Sequence, residues 1–111
     1  MKLTEMTAEQ KRIAIAEACG FSEIHREQMP THSALTGKRN GRSEWLPDYL
    51  SDLNAMHDAE RLLTRQQCER YDDQLHKQSG DAAWLASSWA WNATAEQRAD
   101  AFLLATGRAS L

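Results

Sequence analysis

TAEQKRIAIAEACG (Thr7–Gly20) and TAEQRADAFLLATG (Thr94–Gly107) share their opening four residues, their length and their closing glycine. Each opening has the grammar of a capping box. The Thr hydroxyl accepts from a first-turn N–H, and the Gln three residues on reaches back to the Thr backbone. Glu9 and Glu96 fall in the first turn, where the helix dipole favours a negative charge. Gly20 and Gly107 can take the left-handed conformation that closes a helix. Two capped helices are therefore predicted, one near each end of the chain. Ala14 matches Ala101 and Ala18 matches Ala105, but the middles otherwise diverge, so shared helix grammar explains the echo better than a repeat fold.

Working outward, the first helix sets Ala8, Ile15, Ala18 and Cys19 on one stripe, with Ile13 and Ala16 on the other side. The last sets Ala95, Ala99, Phe102, Leu103 and Thr106 on one stripe and Ala101 and Leu104 opposite. Apolar residues on several faces predict helices covered on more than one side. Pro47 marks the approach to a third helix, running from Tyr49 or Ser51 to Leu63 with Asp48 or Ser51 as its cap. Its inward stripe reads Tyr49, Leu53, Met56 and Leu63. Thr64 and Gln67 form another capping box, which opens a peripheral helix to about Lys77. That helix has a narrow stripe of Cys68, Tyr71 and Leu75 and an Asp73–Lys77 pair at i,i+4. Gly80 ends the region.

Strand signals are thinner. Phe21–Arg26 and Ser43–Leu46 read as two partner strands. Residues 28–42, with Pro30, Gly37 and Gly41, read as a long mobile loop or extended hairpin tip. WLASSWAW (Trp84–Trp91) reads either as a strand, with Leu85, Ser87, Trp89 and Trp91 on one face, or as a helix, with Trp84, Ser88 and Trp91 on one face; its length and aromatic content favour the strand. The sum is an α+β fold: a small antiparallel sheet packed with about four helices, as a two-layer or α/β/α sandwich, in a single domain over residues 1–111.

Composition bounds the function. The chain has 111 residues, 41% apolar and 26% charged, enough for a modest core with little surplus. A homodimer interface would cover additional apolar surface. Thirteen Lys and Arg against sixteen Asp and Glu give −3, which argues against general adhesion to nucleic acid or an anionic membrane. Cys19 and Cys68 match no CxxC pattern. No secretory signal and no membrane-length apolar run is present, so a cytoplasmic location is expected.

The stretch PDYLSDLNAMHDAE (Pro47–Glu60) resembles the signature of the phage ABA sandwich domain family. QKRIAIAEACG (Gln10–Gly20) and ATAEQRADAFL (Ala93–Leu103) are similar to its two ends. The resemblance implies a small α/β sandwich encoded by tailed bacteriophages or prophages. That family has no established activity, so it implies no catalytic residues and no cofactor. Gln28–Arg42 and the tryptophan-rich Trp84–Trp91 depart from the pattern.

Three groups could carry chemistry. His57 and Glu60, three apart, meet on one helix face; they read as a ligand pocket or as a polar pair tied to a backbone group or to an Arg such as Arg98. A metal site would want further ligands. Lys38, Arg39 and Arg42, among glycines, read as a phosphate grip or as a solvated loop tip. Trp84, Trp89 and Trp91 read as a partner anchor or as core. Asp72 and Asp73 diverge by about 100° on a helix and make no dyad. GxSxG, HExxH and GxGxxG are all absent. The expected function is a non-enzymatic phage accessory protein that binds a host or phage protein. The alternative is a small-molecule or nucleotide binder whose pocket gathers the basic loop with His57 or a tryptophan.

Overall fold

The structure is a computed structural model that describes the backbone at residues 1–84 and 93–111 and the side chains at residues 1–77 and 93–111. A 3-10 turn (Leu3–Glu5) precedes α1 (Ala8–Ala18), β1 (Ser22–Gln28), β2 (Ser33–Arg39), β3 (Arg42–Trp45), α2 (Leu53–Glu60), α3 (Arg65–Trp84) and α4 (Ala95–Ala105). The fold is α+β, with one antiparallel sheet in the order β1-β2-β3.

Both capping boxes form: Thr7 and Thr94 accept from the backbone of Gln10 and Gln97, whose side chains accept from the Thr N–H groups. Thr64 and Gln67 make the same exchange ahead of α3. Gly20 and Gly107 close α1 and α4 at φ +95 and +74. The cap of α2 is Asp52, which accepts from the Asn54 N–H, in place of the expected Asp48 or Ser51. Those two residues bond each other instead and turn the chain into the helix. α2 is also shorter than its apolar pattern suggests. It buries Met56 as expected, together with Ala55 and Ala59, and leaves Leu53 43% exposed, so alanines and not the expected leucine complete the inward face. α3 runs through Gly80 to Trp84. A mid-helix glycine costs about 1 kcal/mol, a cost that packing along α4 through the buried Tyr71 and Leu75 can offset.

The main correction lies at residues 28–42. The expected loop contains β2, the central strand, and β1 pairs with β2 instead of with β3. The cause is the turn. Asn40 and Gly41 take φ +56 and +77, both positive. With Arg39 opposite Arg42, this is the two-residue hairpin turn whose twist matches the strands and which favours Asn-Gly. Gly37 belongs to the strand: a Cβ there would meet Ile24 Cγ1 at 3.1 Å, Leu46 Cδ1 at 3.2 Å and Phe21 Cδ1 at 3.3 Å. Its glycine reflects close packing and not a turn.

α4 is the centre of the helical layer. It touches α1, α2, α3 and the 3-10 turn, and it buries Ala95, Arg98, Ala99, Ala101, Phe102, Leu103 and Ala105. The alanines let neighbouring helices approach closely. One face of the sheet, through Leu35 and Gly37, joins Phe21, Ile24 and Leu46 in the same core. Arg12 of α1 ties down the chain beyond β3 by donating to the Pro47 and Leu46 carbonyls, and Arg26 of β1 pairs with Glu9. Among the described residues no helix is long and apolar enough to cross a membrane.

Candidate functional site

Residue alternation along a strand sorts the basic cluster. Register places Arg39 and Arg42 opposite each other on the helix-facing side, and Lys38 opposite Ser43 on the outer side. The three residues therefore do not form one grip. Lys38 pairs with Glu23 at 2.9 Å. Arg39 lies over the Phe21 ring, 4.5 Å from its centroid, and its Nε is 3.3 Å from Glu44 Oε2. That stacking and pairing hold the guanidinium in place.

A cleft of about 210 Å³ opens between Arg39 and the α2 side chains Asp52, Asn54 and Asp58, with Cys19 and Tyr49 among its lining residues. It continues past Leu62 into a wider hollow of about 680 Å³ beside Arg42 and Glu44. Burial pushes the Cys19 thiol above its ordinary range; the Tyr49 hydroxyl and the charges of Arg39 and Arg108 oppose this by less. Burial pushes Tyr49 up as well, with Cys19 next to it adding to the effect. Both groups are neutral at pH 7. A thiol without thiolate character is a poor nucleophile, and the cleft sets the Asp52 and Asp58 carboxylates among the same lining residues as the Arg39 guanidinium.

His57 and Glu60 do not line this cleft, so it does not join the basic loop to His57. They project elsewhere on α2. Glu60 Oε1 accepts from Arg98 at 3.0 Å, with side-chain exposures of 21% and 9%. His57 Nδ1 stands 3.7 Å from Glu60 Oε2 and is half exposed. Arg98 also donates to the Ala93 carbonyl. The Tyr71 hydroxyl is buried in the same cluster. Burial first, and then the Glu60 charge, raise its pKa, with Arg98 opposing. These four residues tie α2, α3 and α4 together.

Trp89 and Trp91, and with them most of the strand expected at Trp84–Trp91, lie outside the described residues; Trp84 ends α3. Another tryptophan matters instead. Trp45 of β3 is 53% exposed, opposite Thr36, which in turn lies opposite His25. With Glu27, Lys38 and Ser43 these residues form the outer face of the sheet, and all except Thr36 are exposed. Thr36, 6% exposed, lies between its two cross-strand neighbours. The signal for Trp45 was its alternation with Glu44 and Leu46: a strand with Leu46 inward must turn Trp45 outward. Among the described residues no three His, Cys, Asp or Glu side chains gather as a metal site.

Comparison of the chain with protein-family models, with curated proteins and with solved structures finds no match. Function is therefore argued from the surfaces themselves.

Proposed function

We propose that this chain is a non-enzymatic interaction module, of the phage or prophage accessory kind, that binds a host or phage protein in the host cytoplasm through the outer face of its sheet. The phage assignment rests on the resemblance at Gln10–Gly20, Pro47–Glu60 and Ala93–Leu103. The observation that carries the binding reading is Trp45, more than half exposed on a sheet face whose neighbours are polar. A large aromatic ring held on a strand loses little conformational freedom on docking, and such residues anchor protein interfaces. The rim of His25, Glu27 and Lys38 supplies polar contacts around it.

The test is native mass spectrometry of the chain purified from phage-infected or prophage-carrying cells. Wild type should retain a protein partner. Trp45→Ala should lose it while keeping the wild-type melting temperature, because the ring contributes little to the core. A partner retained by Trp45→Ala removes the outer face from the reading.

A second reading, small-molecule or nucleotide binding, is favoured by the cleft beside Arg39 and Arg42. Its narrower part, about 210 Å³, falls below the roughly 300–1,000 Å³ of ordinary ligand pockets; its wider part, about 680 Å³, falls within that range, but Asp52, Asp58 and Glu44 would repel phosphate. A nucleotide co-purifying with wild type but not with Arg42→Ala would support this reading over the first.

A further inference from the structure

β3 is an edge strand among the described residues, and its main chain shows what it offers. The two-residue turn makes Arg39 and Arg42 a hydrogen-bonded pair, and the Leu46 N–H donates to Leu35 at 3.0 Å. Antiparallel alternation then directs the groups of Arg42, Glu44 and Leu46 toward β2, and those of Ser43 and Trp45 outward. An incoming strand would meet the Ser43 and Trp45 N–H and C=O groups.

The side chains select that strand. Arg42 and Glu44 flank Ser43 with opposite charges, and a two-fold axis at Ser43 makes the edge self-complementary. Ser43 faces Ser43 of a second copy as a hydrogen-bonded pair. Arg42 faces the second copy's Glu44, and Glu44 its Arg42. Both are non-hydrogen-bonded pairs, where side chains come closest. Trp45 falls opposite Gly41 of the second copy, which has no side chain to oppose the ring. Among the described residues Arg42 makes no ion pair within its own chain. The hollow beside Arg42 and Glu44 is lined by Leu62, 55% exposed, so apolar surface lies close to the seam.

The other edge does not work this way. β1 carries two like charges, Glu23 and Glu27. Glu23 also sits at φ +51, where the β1–β2 register shifts. Like charges and a bulge both blunt an edge.

We infer that the chain forms a homodimer by antiparallel pairing of β3 edges about Ser43, giving one continuous six-stranded sheet. The helical layers stay on one side, and the outer faces join with both Trp45 rings near the seam. This goes beyond the partner-binding reading and is separable from it, because the pairing is decided by the charges at residues 42 and 44.

The test is light scattering on size-exclusion fractions, up to the concentration of an NMR sample. Wild type should run at twice the monomer mass. Arg42→Glu and Glu44→Arg should each fall twofold in mass, because each places like charges opposite one another. Mixing the two variants should restore the dimer mass, since each then supplies the charges the other lacks, and the double variant should dimerise alone. Glu44→Arg also breaks the Arg39 pair, so circular dichroism must confirm its fold. Ser43→Pro gives a second monomer test that leaves the charges intact: it removes an outward donor at an edge position that tolerates proline. A monomeric wild type, an Arg42→Glu dimer as tight as wild type, or a variant mixture that stays monomeric would overturn the proposal.

Discussion

Tyr49 and Tyr71 are the chain's only tyrosines, and both are buried. Their folded pKa values lie above the ordinary 10.0, chiefly through burial. Above pH 10 the unfolded chain releases these protons while the folded chain keeps them, so the unfolded state binds fewer protons and stability falls as pH rises. Cys19, raised from 9.0, begins the same loss slightly earlier. The melting temperature should therefore be insensitive to these groups below pH 9 and decline above it. Tyrosinate absorbance should appear only as the fold opens. Tyr71→Phe should flatten the alkaline limb; an unchanged limb would mean that the hydroxyl is wetter than its burial indicates. The Glu60–Arg98 pair gives a second prediction. Removing one partner strands the other's charge, at about 3 kcal/mol, the lower end for buried pairs because Glu60 keeps some exposure. Arg98→Met combined with Glu60→Leu should cost less than either single change in a urea-denaturation cycle. If the pair is structural, none of these variants alters partner binding except through stability.

At the scale of the element, the hairpin turn and the helix caps carry separable costs. Gly41 sits at φ +77 with open space around it, so Gly41→Ala costs only left-handed strain, about 1–2 kcal/mol. Gly37→Ala has ordinary backbone angles but presses its methyl on Phe21, Ile24 and Leu46, an overpacking cost of about 1–3 kcal/mol. Thermal unfolding should separate the two: a compensating Leu46→Val should rescue Gly37→Ala and leave Gly41→Ala unchanged. Thr94→Ala should cost about 1 kcal/mol, or roughly 4–8 °C in a domain near this size, and Thr94→Ser much less. These elements also mark what was legible in the sequence. Capping boxes are local, so all three were readable from four residues each. β2 was not, because two glycines and a proline within 28–42 suggested a loop. Asn40-Gly41, read as a hairpin turn between strands, would have divided the stretch correctly. The Glu60–Arg98 pair was one of the readings open for Glu60, because a carboxylate turned toward the core needs a partner. Separation of Lys38 from Arg39 needed the register, which sequence proximity alone does not supply.

Across the whole molecule the packing converges on α4. Seven of its eleven residues are buried, most of them alanine, and it meets every other helix. The 3-10 turn is fastened to the far end of the chain by Leu3 N–H to Ser110 and Ser110 N–H to Met1, which places α4 between the first residues and α3. Among the described residues the sheet is joined to this layer at one face, through Phe21, Leu35 and Leu46. Loss of a large side chain from α4 is therefore felt by every helix at once, whereas loss from an outer position is absorbed locally. Leu103, fully buried, should cost about 2–5 kcal/mol as Leu103→Ala. That is a large share of the roughly 5–15 kcal/mol that holds a domain together. Leu53, 43% exposed on α2, should cost within about 0.5 kcal/mol as Leu53→Ala. Urea denaturation followed through the amide NMR signals of α4 and of β2 should give coincident transitions for Leu103→Ala, because α4 couples the helices and the sheet into one unit. If the two sets of signals diverge, with β2 retained while α4 is lost, the sheet unfolds separately and α4 does not hold the two layers together.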